Sequence, residues 1–303
     1  MVISGFQQLK NDLQQAAPKL AVVAAAHDPH TLQAVFAAQR DGLISPILVG
    51  RKDEIISISQ SFGHPVSLDQ VIHADSDAEC ARFAVDLIRQ GKGQMLIKGM
   101  LPTGTLLKEV VHRETGIRSS QVMSHVAVLD VPSYPKLLFD TDGGMVIAPD
   151  LEQKRHILKN ALDFCRFLGY DKPKAAILCA VETINPHMPE TLDAAALKEE
   201  AARGDFGLCA VEGPISLDLA TNPQAAEIKG FQGCVTGDAD ILLCPSIAAG
   251  NLLGKALYGL AGGQMAGVVL GASVPITVNS RGASPEEKYL SMLICSAMTA
   301  PSH

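Results

Sequence analysis

Asn279, Ser280 and Arg281 close an apolar run near the end of the chain, and Ser284-Pro285-Glu286-Glu287 follows almost at once. These residue types suit an anionic substrate. Arginine is the planar, bidentate partner of phosphate, and a serine hydroxyl beside it can donate to developing negative charge. The second half has a plainer use. Ser284 as N-cap, Pro285 at the first helical position and Glu287 at the third form a capping box. That cap explains Ser-Pro-Glu-Glu but leaves Asn279-Ser280-Arg281-Gly282 unexplained, and the two uses are compatible.

Other strand-to-helix turns carry weaker chemistry. In QMLIKGMLPTGTLLKEVV a strand is expected to end at Lys98-Gly99, with a helix starting near Thr105. Backbone N–H groups, the hydroxyls of Thr103 and Thr105 and the Lys98 ammonium can face an anion there; the simpler reading is a connection with a threonine cap. GNLLGKA, after the run ADILLCP, resembles a phosphate loop but fails its spacing and has Ala256 after the lysine. Asn251 and Lys255 remain, near the start of an expected helix, as polar ligands. Gly213-Pro214 reads as a break after an apolar run, Asp218 as a solvated acid and Asp140-Thr141-Asp142-Gly143-Gly144 as a turn.

Composition excludes several classes. The chain has 303 residues, 47% hydrophobic and 19% charged, with a formal charge of −7 and a pI near 5.7. No segment concentrates lysine and arginine, so nucleic acid is not an expected partner. The seven cysteines are odd in number, widely spaced and mostly inside apolar runs, as free thiols in a reducing cytosol are. No CxxC, HxH or HExxH occurs, so no metal site is expected. GxSxG and GxGxxG are absent too. The N-terminus does not read as a signal peptide. Residues 259–278 are apolar but broken by five glycines, Gln264 and Pro275; a helix end and a buried strand explain them better than a membrane span. The expected location is cytoplasmic.

The elements that must hold these residues follow from the apolar pattern. Runs at 20–25, 46–50, 94–99, 175–181, 239–245, 265–271 and 274–279 read as buried strands, with amphipathic helices between them. That alternation predicts a mostly parallel sheet covered on both faces. Residues 125–150 read as hairpin-like strands crossing between two α/β domains. A helix over 150–168 follows, with Ile157, Leu158, Ala161, Leu162, Cys165 and Leu168 in one stripe and Gly169 as its stop.

In order along the chain, KGMLPTGTLLKEVV, SHVAVLDVP, DTDGGMVIAPDLEQK, EGPISLDLA, GDADILLCPSIAAGNLLGK and NSRGASPEEK resemble the phosphate acetyl/butyryltransferase family from about residue 94 to 296. The resemblance implies two α/β domains with mostly parallel sheets around a cleft, like isocitrate and isopropylmalate dehydrogenases. Residues 1–126 and 271–303 would form one domain and 127–270 the other. It implies a homodimer, no membrane partner, no tightly bound cofactor, and coenzyme A as substrate. The implied reaction is acyl-CoA + phosphate ⇌ acyl phosphate + CoA. The implied catalytic residues are Ser280 for the tetrahedral intermediate, Arg281 for phosphate and Glu287 as base. Lys98, Thr103, Thr105, Asn251, Lys255 and Asn279 are the expected substrate-binding residues.

Three departures stand out. Glu287 lies where the acetyl-specific branch has aspartate, which favours butyryl over acetyl. Val146 replaces an asparagine of the family pattern, and Glu212-Gly213-Pro214 replaces Asp-Gly-Pro. A non-catalytic sensor of coenzyme A or acyl phosphate on the same scaffold is the alternative. A dehydrogenase is weaker, because neither an acidic metal cluster nor an adenine-nucleotide signature is present.

Overall fold

The computed structural model describes residues 2–280 and 282–298; Arg281 lies outside the described residues. In chain order the elements begin with α1 (Phe6–Asp12), β1 (Lys19–Ala24), α2 (Pro29–Arg40), β2 (Ile44–Gly50) and α3 (Lys52–Ser61). A 3₁₀ turn at Leu68–Gln70 precedes β3 (Val71–His73), followed by α4 (Asp77–Arg89), β4 (Met95–Lys98) and α5 (Thr103–Val110). Next come β5 (Ser124–Asp130), β6 (Leu138–Thr141), α6 (Leu151–Phe167), β7 (Lys174–Leu178), α7 (Pro189–Arg203) and β8 (Ala210–Ile215). The chain ends through α8 (Leu217–Thr221), α9 (Pro223–Ile228), β9 (Ile241–Leu243), α10 (Ile247–Gly259), β10 (Gln264–Leu270), β11 (Ile276–Thr277) and α11 (Pro285–Met298).

The chain divides into two compact units. Among the described residues, a terminal unit holds Gln7–Gln121 and the segment from Ala266 to Met298; a central unit holds Val2–Phe6 and Val122–Met265. The sequence reading set the crossings at 126/127 and 270/271 and gave the first residues to the terminal unit. The first residues sit with the central unit because they are bonded to it: Ile3 N–H donates to the Tyr170 hydroxyl at 3.3 Å, and Ile3 O accepts from Leu137 N–H at 2.9 Å.

In the terminal unit the strand order is β3-β2-β1-β4-β11-β10. All its pairings are parallel except β10 with β11. Buried Val22, Val23, Leu48, Leu96 and Ile97 are continuous apolar strand residues, as a sheet covered on both faces requires. In the central unit the order is β5-β6-β9-β7-β8, with only β5 and β6 antiparallel. The expected hairpin is therefore β5–β6. Phe139 anchors the core of this unit, edge-on to Phe164 at 5.4 Å and Tyr170 at 5.6 Å.

Local readings mostly hold. Asp150 caps α6 in a capping box with Gln153, the apolar stripe is buried, and Gly169 follows with φ +89°. One is corrected. Gly213-Pro214 does not break the chain but lies inside β8, which tolerates proline because it is the edge strand of its sheet. Among the described residues no helix is long and apolar enough to cross a membrane.

β6 also carries a buried acid. The Cys244 thiol donates to one oxygen of Asp140 at 3.2 Å, and the other oxygen has no partner among the described residues. Burial pushes the Asp140 pKa up to about 7, against the opposing Cys244 bond. Between the ordinary value of 3.8 and this one, the folded chain holds a proton that the unfolded chain has released. Its contribution is therefore fully present below about pH 4 and is lost as pH rises through 7, on the order of a few kcal/mol. Melting temperatures of wild type should fall relative to Asp140→Asn between pH 5 and 8. Parallel curves would show that the acid is not held protonated.

Candidate active site

The terminal unit gathers three strand ends at one edge. β1, β4 and β11 are adjacent and parallel, with Ala24 opposite Lys98 and Thr277 opposite Ile97. The turns into α2, α5 and α11 therefore leave the sheet side by side, where α/β folds place ligands. The β1 and β4 ends are in direct contact. Gly99 N–H donates to Ala24 O at 2.8 Å, and a Cβ on Gly99 would lie 2.2 Å from Ala25 O. Only glycine fits there. Ala25 itself holds φ +54°, a left-handed conformation that costs a non-glycine residue roughly 1–2 kcal/mol.

After β11 the chain turns through Asn279 and Ser280. Ser280 is exposed, its carbonyl accepts from Ala283 N–H at 3.0 Å and its hydroxyl from Gly282 N–H at 3.4 Å. Asn279 is 9% exposed, and its amide donates to Ser291 Oγ at 2.9 Å and to Glu287 O at 3.4 Å. Ser291 Oγ in turn donates to Glu287 O at 2.8 Å and accepts from Gly267 N–H at 2.9 Å. Asn279 thus ties the turn to α11. The capping box at the head of α11 is present: Glu287 Oε2 accepts from Ser284 N–H at 2.8 Å, and Glu287 N–H donates to Ser284 Oγ at 3.2 Å. Glu287 is half-buried in the first turn of α11, the helix that follows the Ser280 loop.

The helix after β4 starts earlier than expected. α5 begins at Thr103 with Pro102 as its N-cap, and Pro102 O accepts from Thr105 N–H at 3.0 Å. Pro102 has no side-chain acceptor, so α5 starts without a side-chain cap and neither threonine serves as one. Both hydroxyls are without a partner among the described residues. Lys98 is 2% exposed and donates to Gly99 O at 3.2 Å and Leu101 O at 3.0 Å, which holds the loop leading into α5.

The other expected residues belong to the central unit. Asp142 is buried and gathers its own turn. It accepts from Gly144 N–H at 2.7 Å, Met145 N–H at 2.8 Å, Val146 N–H at 3.3 Å and His125 N–H at 3.2 Å. Gly143 packs so closely on α10 that a Cβ would meet Asn251 N at 2.9 Å, and Asn251 Nδ2 donates to Gly143 O at 3.1 Å. Ser246 caps α10, which puts Asn251 in its second turn and the exposed Lys255 in its third, further along than the sequence placed them. Glu212 is 2% exposed, pairs with Lys198 and accepts from Cys234 N–H at 2.9 Å.

The sequence reading passed over the end of β1. His27 and Asp28 stand there, both buried; Asp28 Oδ2 accepts from Thr31 N–H at 2.8 Å and Thr31 Oγ1 at 2.6 Å, and His27 Nδ1 accepts from Arg51 N–H at 3.3 Å. Burial holds the His27 pKa below its usual value, with the nearby Arg51 adding to it. The signal was available: Ala-His-Asp-Pro-His follows an apolar strand, as the weighed turns do.

Parallel strand ends that carry hydroxyls, an asparagine turn and a glutamate at a helix start define an α/β enzyme suited to an anionic substrate. Comparison with known proteins makes the class specific. Residues 75–296 match the family described as phosphate acetyl/butaryl transferase. A phosphate butyryltransferase of Clostridium acetobutylicum is 38% identical over 293 residues, 97% of each chain. A phosphate acetyltransferase of Thermotoga maritima is 37% identical over 276 residues, 91% of this chain and 94% of its own. The crystal structure of a branched-chain phosphotransacylase from Enterococcus faecalis V583 has a TM-score of 0.81 at 32% identity, covering 93% of this chain and 99% of its own. The chain belongs to the phosphate acetyl/butyryltransferase family and is a phosphate acyltransferase.

Removing the Asn279 amide should loosen α11 before it touches substrate. Asn279→Ala is expected to lower unfolding free energy by about 1–3 kcal/mol in urea titrations, the cost of losing a buried donor. A change below about 0.5 kcal/mol, a typical surface effect, would show that the tie contributes little.

Proposed function

We propose that the chain moves a short acyl group between coenzyme A and inorganic phosphate, with butyryl favoured over acetyl. The observation that carries this reading is the Glu287 carboxylate fixed in the capping box of α11, the helix that follows the exposed Ser280 loop. A thiol with a pKa near 8.5 is only a few per cent ionised at neutral pH, so attack on an acyl phosphate needs a base. Glu287 takes the thiol proton as sulfur attacks the carbonyl carbon. The Ser280 hydroxyl donates to the oxyanion that forms, and the Arg281 guanidinium, placed by sequence next to it, holds the departing phosphate. Collapse of the tetrahedral intermediate yields acyl-CoA and phosphate with no covalent enzyme intermediate.

Binding roles follow from which groups are already engaged. The hydroxyls of Thr103 and Thr105 at the head of α5 bind substrate oxygens. Lys98 and Asn279 act by holding the loops that present them. Asn251 fixes the Asp142 turn, and Lys255 offers an exposed cation to an anionic group of the substrate. Coenzyme A comes and goes as a substrate. The butyryl preference rests on Glu287 in place of aspartate, a carboxylate one methylene longer. A methylene changes discrimination by only ~1–3 kcal/mol in an apolar pocket. A homodimer is supported by the resemblance.

The test is phosphate-dependent release of free CoA from butyryl-CoA and acetyl-CoA, followed with a thiol reagent. Wild type should require phosphate and turn over butyryl-CoA faster, and Arg281→Ala should lose about 100-fold or more in kcat/KM, as oxyanion and phosphate contacts do. Release independent of phosphate would sink the reading; equal rates with both thioesters would remove only the chain preference.

A further inference from the structure

One buried charge near Glu287 remains unaccounted for by the reaction. Lys288, the next residue of α11, is 5% exposed, an unusual place for an ammonium. Its Nζ donates to Thr31 Oγ1 at 3.3 Å, and the Thr31 hydroxyl in turn donates to Asp28 Oδ2 at 2.6 Å. Asp28 is the N-cap of α2 and also accepts from Thr31 N–H. Burial lowers the Lys288 pKa, while the Asp28 and Glu287 carboxylates work against that shift. The chain from Lys288 through Thr31 to Asp28 therefore joins the first turn of α11 to the first turn of α2, the two helices that leave β11 and β1.

The consequence for Glu287 is rotational. Neighbouring residues of a helix point about 100° apart, so fixing the Lys288 side chain against α2 fixes the direction in which Glu287 leaves the same turn. Three residues on, on nearly the same face of the helix, Ser291 is tied to Asn279 of the preceding loop. The Lys288 link adds a hydrogen-bonded tie to α2 at the residue next to Glu287.

We propose that Lys288 is a positioning residue for acyl transfer, setting the orientation of the Glu287 carboxylate through its buried link to Thr31 and Asp28. This rests on the phosphotransacylase reading of the site. Nothing in it requires Lys288 to touch the substrate.

The experiment is a double-mutant cycle on the full-length protein, measuring kcat and KM for acyl-CoA and phosphate. Lys288→Met should lower kcat about 10–100-fold, the cost of a misplaced catalytic group, with both KM values within about threefold of wild type. In a Glu287→Gln background the same substitution should cost less than about twofold, because a residue acting through Glu287 has nothing left to act on. Lys288→Arg should recover most of the loss. Thr31→Val, which removes one hydroxyl, should give a smaller loss of the same kind and serves as the test if Lys288→Met does not fold.

A folded Lys288→Met enzyme with wild-type kcat overturns the inference. So does a loss that multiplies undiminished in the double variant, or one confined to KM. A wild-type protein without phosphate-dependent CoA release overturns the underlying reading, and the inference with it, whereas an active wild type with an unaffected Lys288→Met overturns the inference alone.

Discussion

The site depends on a strand only two residues long. Ile276 and Thr277 pair in parallel with Leu96 and Ile97, and Leu96 N–H reaches back to Pro275 O at 3.1 Å. That pairing makes a late segment of the chain the neighbour of β4, formed more than 170 residues earlier in sequence, with β1 on the far side of β4. Without it, Asn279-Ser280 and the head of α11 would have no fixed relation to the loop that carries Thr103 and Thr105. The antiparallel contact of Val269 with Ile276 completes the support on the other side. The strand is short because it needs only to set direction; the helix after it supplies the buried area through Leu290, Met292, Leu293 and Ile294.

From that constraint the double use of one carboxylate follows. Glu287 satisfies an orphan N–H at the start of α11, and the same bond keeps it in one place. A carboxylate on a free loop would have many rotamers; the proposed base is held by a helix start that is itself tied through Asn279 to the turn and through Lys288 to α2. Helix capping and positioning of a reactive group are here one arrangement.

Much of this was legible in sequence, for identifiable reasons. The α6 stripe, the β5–β6 hairpin and the α11 capping box are local patterns of period, turn residues and caps, and they read correctly. Non-local features did not. β3 is a three-residue edge strand, too short to leave a periodic trace. Gly213-Pro214 looked like a break because the sequence does not say that β8 is an edge. Nothing in the sequence singles out Lys288, which the fold buries, and Lys98 reads as a ligand cation until its carbonyl partners are seen. Types and order of the candidate residues were visible; which of them were already engaged by the fold was not.

The central claim is that Glu287 is a base held in place by its cap, not a cap alone. Glutamine at this position keeps the capping acceptor but cannot take a proton, so paired measurements of kcat and melting temperature on Glu287→Gln separate the two roles. The account predicts a melting temperature within about 2 °C of wild type, less than 1 kcal/mol for a chain of this size, and a kcat at least about 100-fold lower, as loss of a general base gives. A variant that melts like wild type and retains its kcat would contradict it, and would leave Glu287 a helix cap.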